Sequence, residues 1–275
     1  MNQQPYLLPP RRKRNVKALL HKCFWTLLLV SLIGWSMQGI ADELNAERVF
    51  SMRTIERAQT VIPQLFQLNG DQFFRIVGLI VETLAIAFTG CIMAAILAVP
   101  LGFFTAKNMM GNTLIGRITH AFFKLWLNAT RTFPEILLAL IFVASIGPSP
   151  FAGVLAIAIG STGMLGKLFG ETIETVDMSL VETMQANGAT RIQVLFYAIL
   201  PQVVPEFLSY AMYRFEIDVR ASTILGVIGA GGIGTLIVIS AANRNWGEVG
   251  LIVLCIIVVV TVIDYLSAYA RKKLV

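Results

Sequence analysis

Few side chains in this sequence can do acid–base, nucleophilic or metal chemistry, and their spacing argues against all three. His21 and His120 are the only histidines, and each flanks an apolar segment. Cys23, Cys91 and Cys255 stand singly inside apolar runs, without CxxC spacing or a neighbouring histidine, as packed or lipid-facing thiols do. No catalytic residue and no metal site is expected. Two glycine-bearing stretches imitate nucleotide sites. Gly229-Ala230-Gly231-Gly232-Ile233-Gly234 satisfies GxGxxG, with Glu248 at a suitable distance beyond it. That fingerprint works only as the strand, turn and helix of a βαβ unit, and here membrane-length apolar sequence surrounds it. In lipid, Gly229, Gly231, Gly232 and Gly234 instead break a helix or let backbones approach closely. Gly166-Lys167 ends like a phosphate loop, but Leu168 replaces the magnesium-binding hydroxyl and Ser161 the first glycine. No cofactor is therefore expected in this chain, and any ATP and Mg would be bound by a separate ATPase.

What the chain does offer is charge where charge is costly. Arg214, Glu216, Asp218 and Arg220 fall inside a would-be membrane span, where each costs about 2.5–3.5 kcal/mol on insertion scales. Two readings stand. Arg214 with Asp218, and Glu216 with Arg220, are opposite charges at i,i+4 and could simply neutralise one another. Alternatively the four line a polar path, with Arg214 and Arg220 attracting an anion. If the first reading holds, exchanging Glu216 and Arg220 is nearly silent.

The elements that must position these residues are set by composition. Of 275 residues 56% are hydrophobic and 14% charged, against about 45–50% and about 25% in soluble domains. Such a chain needs lipid, and lipid admits only elements that satisfy their own backbone. The net charge of +6 suggests nucleic acid, but the basic residues cluster at segment ends, where topology explains them. No nucleic acid partner is expected.

A basic start (residues 1–22, with Arg11, Arg12, Lys13, Arg14, Lys17 and Lys22) precedes an apolar run from Cys23 to Ile40. That run is longer than the about 7–15 residues of a signal peptide, so it reads as an uncleaved first span. Residues 41–75 read as an outer loop with a turn at Asn69-Gly70, completing a first unit of span and loop over 23–74. Residues 75–275 form the main transmembrane domain. Ile76 to Phe104 is a second span. The third is interrupted: Thr132-Phe133-Pro134-Glu135 has the spacing of a capping box, and the helix starting there is too short to cross alone. Gly147-Pro148-Ser149-Pro150 turns the chain outside, and Phe151 to Phe169 is the fourth span. Residues 170–201 are polar enough to form a cytoplasmic helical loop. Val203 to Gly226 re-enters, Asn243 to Glu248 loops outside, and Val249 to Ala270 is the last span before Arg271, Lys272 and Lys273. Six spans put both termini in the cytoplasm by the positive-inside rule.

Inside the loop, Glu182-Thr183-Met184, then Gly188-Ala189, then Leu200-Pro201 carry the most informative spacing in the chain. It resembles the cytoplasmic EAA loop of ABC importer permeases, in which Gly188 would turn the chain between two short helices and present a knob to another protein. Thr183, Met184 and Ala198 depart from the family's Ala, Ala and Ile. Over roughly the last 200 residues the chain further resembles the phosphonate-type permeases, which also serve phosphite and hypophosphite uptake. The runs that carry this are Arg131 to Glu135, Pro150 to Ala156, Thr162 to Leu168, and Tyr213 through Arg220 to Gly234. Gly160-Ser161-Thr162-Gly163 departs from the family's His-Thr-Thr-Gly.

The resemblance implies an all-α integral membrane protein of the type I importer permease fold, with about six transmembrane helices, in a bacterial inner membrane. Its partners would be a second permease copy (a homodimer), two ATP-binding subunits docked around Glu182, Gly188, Ala189, Leu200 and Pro201, and an external substrate-binding protein. The cargo would be a small phosphorus oxyanion, its path lined by Arg214, Glu216, Asp218, Arg220, Arg131 and Glu135. Another solute within the same class, an ion-gradient transporter, a membrane enzyme and an assembly scaffold stay open as alternatives.

Overall fold

Long apolar runs in a medium without water leave the backbone only its own carbonyls to bond, and every regular element among the described residues is helical. A computed structural model describes residues 16–43, 51–67, 70–110 and 113–274. The basic cluster Arg11 to Arg14, and Glu47, Arg48 and Asn69 of the expected outer loop, lie outside the described residues.

The chain divides into two units between Ile62 and Pro63. The first contains α1 (Val16–Glu43), whose segment Leu20–Gly39 is long and apolar enough to span a membrane. It also contains most of α2 (Met52–Leu65), which falls where a loop was expected. Met52, Ile55, Ala58, Ile62 and Leu65 recur at helical spacing opposite Arg53, Glu56 and Arg57, a two-faced pattern that single-residue polarity hides.

The second unit is built around α6 (Pro150–Glu174). In α6 67% of the apolar window is buried, against 17% in α10 (Trp246–Leu274). α6 is therefore the hub and α10 a peripheral span. Its small residues explain this. A Cβ at Gly160 would lie 2.7 Å from Glu135 Cγ, one at Gly163 2.9 Å from the Arg131 nitrogen, and one at Gly166 3.0 Å from Leu127. Glycines three apart thus receive successive turns of one neighbouring span running the other way.

That neighbour is the interrupted span. α4 (Leu114–Thr132) and α5 (Glu135–Ile146) meet at an 83° bend, and together they pass as one crossing. The break was foreseen, but not its local chemistry. Thr132 ends α4 and donates to the Asn128 carbonyl, while Pro134 is the N-cap of α5 and makes no side-chain cap bond. The expected capping box does not form, because Glu135 is drawn instead to Arg214.

α3 (Phe73–Thr105) packs along α6 through Ala94 and Ala98. α8 (Arg191–Val227) is 37 residues long, with a π-helical turn at Leu195–Ile199. Pro201 has no N–H to offer the preceding turn, which accounts for the widened register just before it. α6 runs to Glu174 and α8 starts at Arg191, so the predicted loop 170–201 is mostly helix, and Pro201 lies inside α8 rather than at its start. Only α7 (Met178–Ala186) and its flanking turns stand outside these two helices. α9 (Ile233–Ala242), 10 residues long, rises about 15 Å and cannot cross a core of about 30 Å. With α1, the bent pair and α3, α6, α8 and α10, the described helices supply up to six spans.

Candidate functional site: a buried ion network and a helical knob

Arg214 is the centre of the site. α8 carries it at a buried position, 7% exposed, facing α6 and α5. A guanidinium there must be matched, and its partners come from three helices. It pairs with Glu135 at the first residue of α5. Its Nε lies 3.0 Å from Asp218 Oδ1 and donates to Ser161 Oγ at 2.9 Å. Nη1 sits 3.3 Å from Met164 Sδ. Ser161 in turn donates toward both Asp218 oxygens, at 2.9 and 3.0 Å. Asp218 and Ser161 are both 0% exposed. Ser161 is 11 residues along α6 from Pro150, about 16 Å of rise and hence near mid-depth of an about 30 Å core.

The second pair predicted from the sequence, Glu216 with Arg220, also forms, at 2.7 Å, but neither member belongs to that pair alone. Arg220 reaches Asp264 of α10 at 2.8 Å, and Arg271 reaches the other Glu216 oxygen at 3.2 Å. Two guanidinium groups thus balance two carboxylates across α8 and α10. Exchanging Glu216 and Arg220 would set a guanidinium against Arg271 and a carboxylate against Asp264. The exchange is therefore not silent even for purely structural charges. Arg131, the remaining charged candidate, is exposed on the last turn of α4, four residues before Glu135.

Sequence reasoning missed Asp264 and the role of Ser161. A carboxylate inside the last apolar span was itself a signal, since lipid-depth charge needs a partner. Ser161 gave none, because a serine in a helix can satisfy itself locally.

The glycine-rich stretch forms the turn between α8 and α9. Gly229, Gly231 and Gly232 have φ of 93°, 83° and 77°. The free N–H groups at the start of α9 are satisfied from α3: Thr83 Oγ1 accepts from Ile233 at 2.8 Å and Glu82 Oε1 from Gly232 at 3.2 Å. Gly234 lets α9 lie against α8, since a Cβ there would meet the Thr223 carbonyl oxygen.

The knob is built from standard parts. Asp177 caps α7, accepting from the Ser179 N–H at 2.9 Å. Hydrogen bonds from the Ser179 side chain and backbone hold its carboxyl below the usual carboxylate range. A depressed carboxylate contributes its cap above the unfolded pKa and loses it only as pH falls through the folded one, so the cap is complete near neutrality. Gly188 closes α7 at φ 82°, with Gly188 N–H donating to Gln185 O at 3.0 Å and Ala189 N–H to Met184 O at 3.0 Å. These are the two bonds of a Schellman turn. Thr190 and Gln193 then form a reciprocal capping box that starts α8. Val181, Val194, Ala198 and Val203 anchor the knob in the core around Phe169 and Phe207, with Ala189 and Leu200 half-buried beside them. Glu182 is exposed, without a hydrogen bond or ion pair among the described residues, and Leu180, Ile192, Phe196 and Tyr197 are 49–75% exposed around it. Pro201 is exposed as well.

Several apolar spans around a hub helix, one sharply bent, with a helical knob between the hub and the next span, define a multi-pass membrane permease subunit. Residues 98–274 match the binding-protein-dependent transport system inner membrane component family, and the chain belongs to it. Among relatives, the phosphite transport system permease protein PtxC of Stutzerimonas stutzeri is 40% identical over 193 residues, 70% of this chain and 69% of that protein. The phosphate-import permease protein PhnE of Mycolicibacterium smegmatis is 35% identical over 215 residues, 78% of this chain and 39% of that protein. The inward-facing MetNI methionine ABC transporter matches with a TM-score of 0.65 at 18% identity, over 76% of this chain and all of that one, and shares the fold.

Proposed function

We propose that this chain is the membrane permease of an ATP-driven importer of a small phosphorus oxyanion, acting as one of two copies with two ATPase subunits and an external binding protein. The observation that carries the reading is the 40% identity to a phosphite permease over 193 residues, joined by a phosphate-import relative. Tetrahedral phosphorus oxyanions are the chemistry these two names share. Both termini would be cytoplasmic, which puts the knob inside and the α5–α6 and α9–α10 turns outside.

In this reading Glu182, Gly188 and the exposed apolar residues around them dock on the ATPase. α8 is one lever from Thr190 at the knob to Arg214 at mid-depth. Closure of the ATPases would displace its inner end, and the Arg214 guanidinium, held at once by α5, α6 and α8, would pass that motion to the bent span. Packed elements with two arrangements suffice for alternating access. Arg131, exposed near Glu135 and without an ion pair among the described residues, is the cation most open to a passing anion, whereas Arg214 and Arg220 are each engaged by two carboxylates.

The test is the reconstituted complex. Uptake of labelled phosphite, phosphate or a phosphonate should require ATP and the loaded binding protein, and should persist when ion gradients are collapsed. Uptake driven by a gradient without ATP would overturn the reading. Gly188→Asp should leave the protein inserted but uncouple it. A Cβ at 188 meets nothing within 4 Å, and the left-handed φ costs aspartate and alanine alike about 1–2 kcal/mol, so the uncoupling comes from the new carboxylate on the docking face. Gly188→Ala should keep most of the coupling. Equal, wild-type coupling in both variants would remove this knob as the contact.

A further inference from the structure

α9 ends the way α7 does. Arg244 N–H donates to Ala241 O at 3.0 Å and Asn245 N–H to Ser240 O at 2.9 Å, the paired bonds of a second Schellman turn. The two turns differ at the left-handed position. α7 uses Gly188, the residue that enters this region freely; α9 uses Arg244 at φ 57°, the one non-glycine residue with positive φ among the described residues. The side chain therefore carries a steric cost that glycine would avoid.

No contact among the described residues compensates it. Arg244 is exposed, and its guanidinium has no hydrogen bond or ion pair among the described residues. Yet the platform under it is stiff. Asn245 Nδ2 donates to Glu248 Oε2 at 3.0 Å, the Glu248 N–H donates back to Asn245 Oδ1 at 3.4 Å, and Glu248 is 5% exposed. A strained residue held on a fixed turn, with its charge unused among the described residues, points to a contact outside the chain.

We propose that Arg244 is a docking residue for a carboxylate on the external substrate-binding protein. The assignment rests on the proposed topology, which puts the α9–α10 turn outside. The positive-inside rule gives no reason for a cation there. A lipid phosphate is a poorer match, because headgroups are mobile and gain nothing from a rigidly presented guanidinium, whereas a folded partner with a fixed carboxylate does. A helix-end cation that merely complements the α9 dipole is the other rival.

The experiment uses the full complex in zwitterionic nanodiscs, titrated with loaded binding protein while ATP hydrolysis is followed. Arg244→Gly should leave basal hydrolysis unchanged, and should keep or raise the thermal midpoint because strain is relieved. It should also raise the binding-protein concentration for half-stimulation about tenfold. Arg244→Lys should retain most of the response. Raising salt from about 50 to about 300 mM should weaken the wild type toward the glycine variant and leave the variant nearly flat. An unchanged half-stimulation in Arg244→Gly overturns the proposal, with a lowered thermal midpoint then marking a helix-end role. An effect that appears only with anionic lipid assigns the contact to headgroups and overturns it equally. Labelling of Arg244→Cys by an impermeant maleimide from the inner side alone overturns the topology and the docking role with it. Absence of any stimulation in the wild type would instead strike at the importer reading.

Discussion

Arg214→Met is expected to cost about 3–5 kcal/mol of stability, because it leaves a carboxylate without its cation in a site that water does not reach. Asp218 is 0% exposed, and among the described residues Arg214 is the only cation within bonding distance of it. Glu135 loses its partner in the same step. Ser161 donates one proton and cannot replace a charge. Arg220→Met makes the informative comparison. Arg220 is 45% exposed on its side chain, Glu216 keeps Arg271, and Asp264 is 38% exposed. Its loss should cost less than that of Arg214, because one carboxylate, Asp264, loses its cation instead of two, and Asp264 is partly open. Adding Asp218→Asn to Arg214→Met should recover part of the loss, since a neutral amide is cheaper to bury than an unpaired carboxylate. The measurement is denaturant unfolding of the purified chain in detergent, beside the fraction inserted in membranes. Equal losses for the two arginine variants would show that burial does not separate the networks.

Gly232→Val is the second large effect. At φ 77° and ψ −166° the backbone occupies a region that side chains almost never enter, a strain of about 1–3 kcal/mol. The added Cβ would also press on the Thr83 hydroxyl and lie 3.3 Å from Thr83 Cα, both on the packed helix α3. Overpacking adds about 1–3 kcal/mol, and a displaced Thr83 no longer caps Ile233. The α8–α9 turn should open and the thermal midpoint fall steeply. Gly78→Ala is the control within the same fold. Gly78 lies in α3 with nothing within 4 Å of its would-be Cβ, so alanine there should stabilise by about 0.5–1 kcal/mol. Similar midpoints for the two variants would mean that the glycine turn does not hold α9 in place.

Local rules read from the residues succeeded where the partners are local. Arg214 with Asp218 and Glu216 with Arg220 both form, because four residues bring side chains together on any helix. Gly188 turns the chain after α7, because no other common residue accepts that φ cheaply. The same kind of rule failed at Thr132 and Glu135. The box spacing is present, but a buried guanidinium offers Glu135 more than an exposed backbone N–H does. At Arg244 the rule would have asked for glycine, and only the folded structure shows an arginine in that conformation.

Composition by itself determined the solvent, the helical class and nearly every span, because apolar length and backbone self-satisfaction leave a chain in lipid little choice. Motif spacing added the knob between Glu182 and Pro201. What only the tertiary structure decided is which distant residues share a charge or a cap: Glu135 and Ser161 around Arg214, Asp264 and Arg271 around the second pair, Thr83 and Glu82 on the start of α9. Those meetings depend on how closely helices approach and at what rotation. That is set by the glycines along α6 and the bend at Phe133–Pro134 acting together, and no window of sequence contains both partners of such a contact.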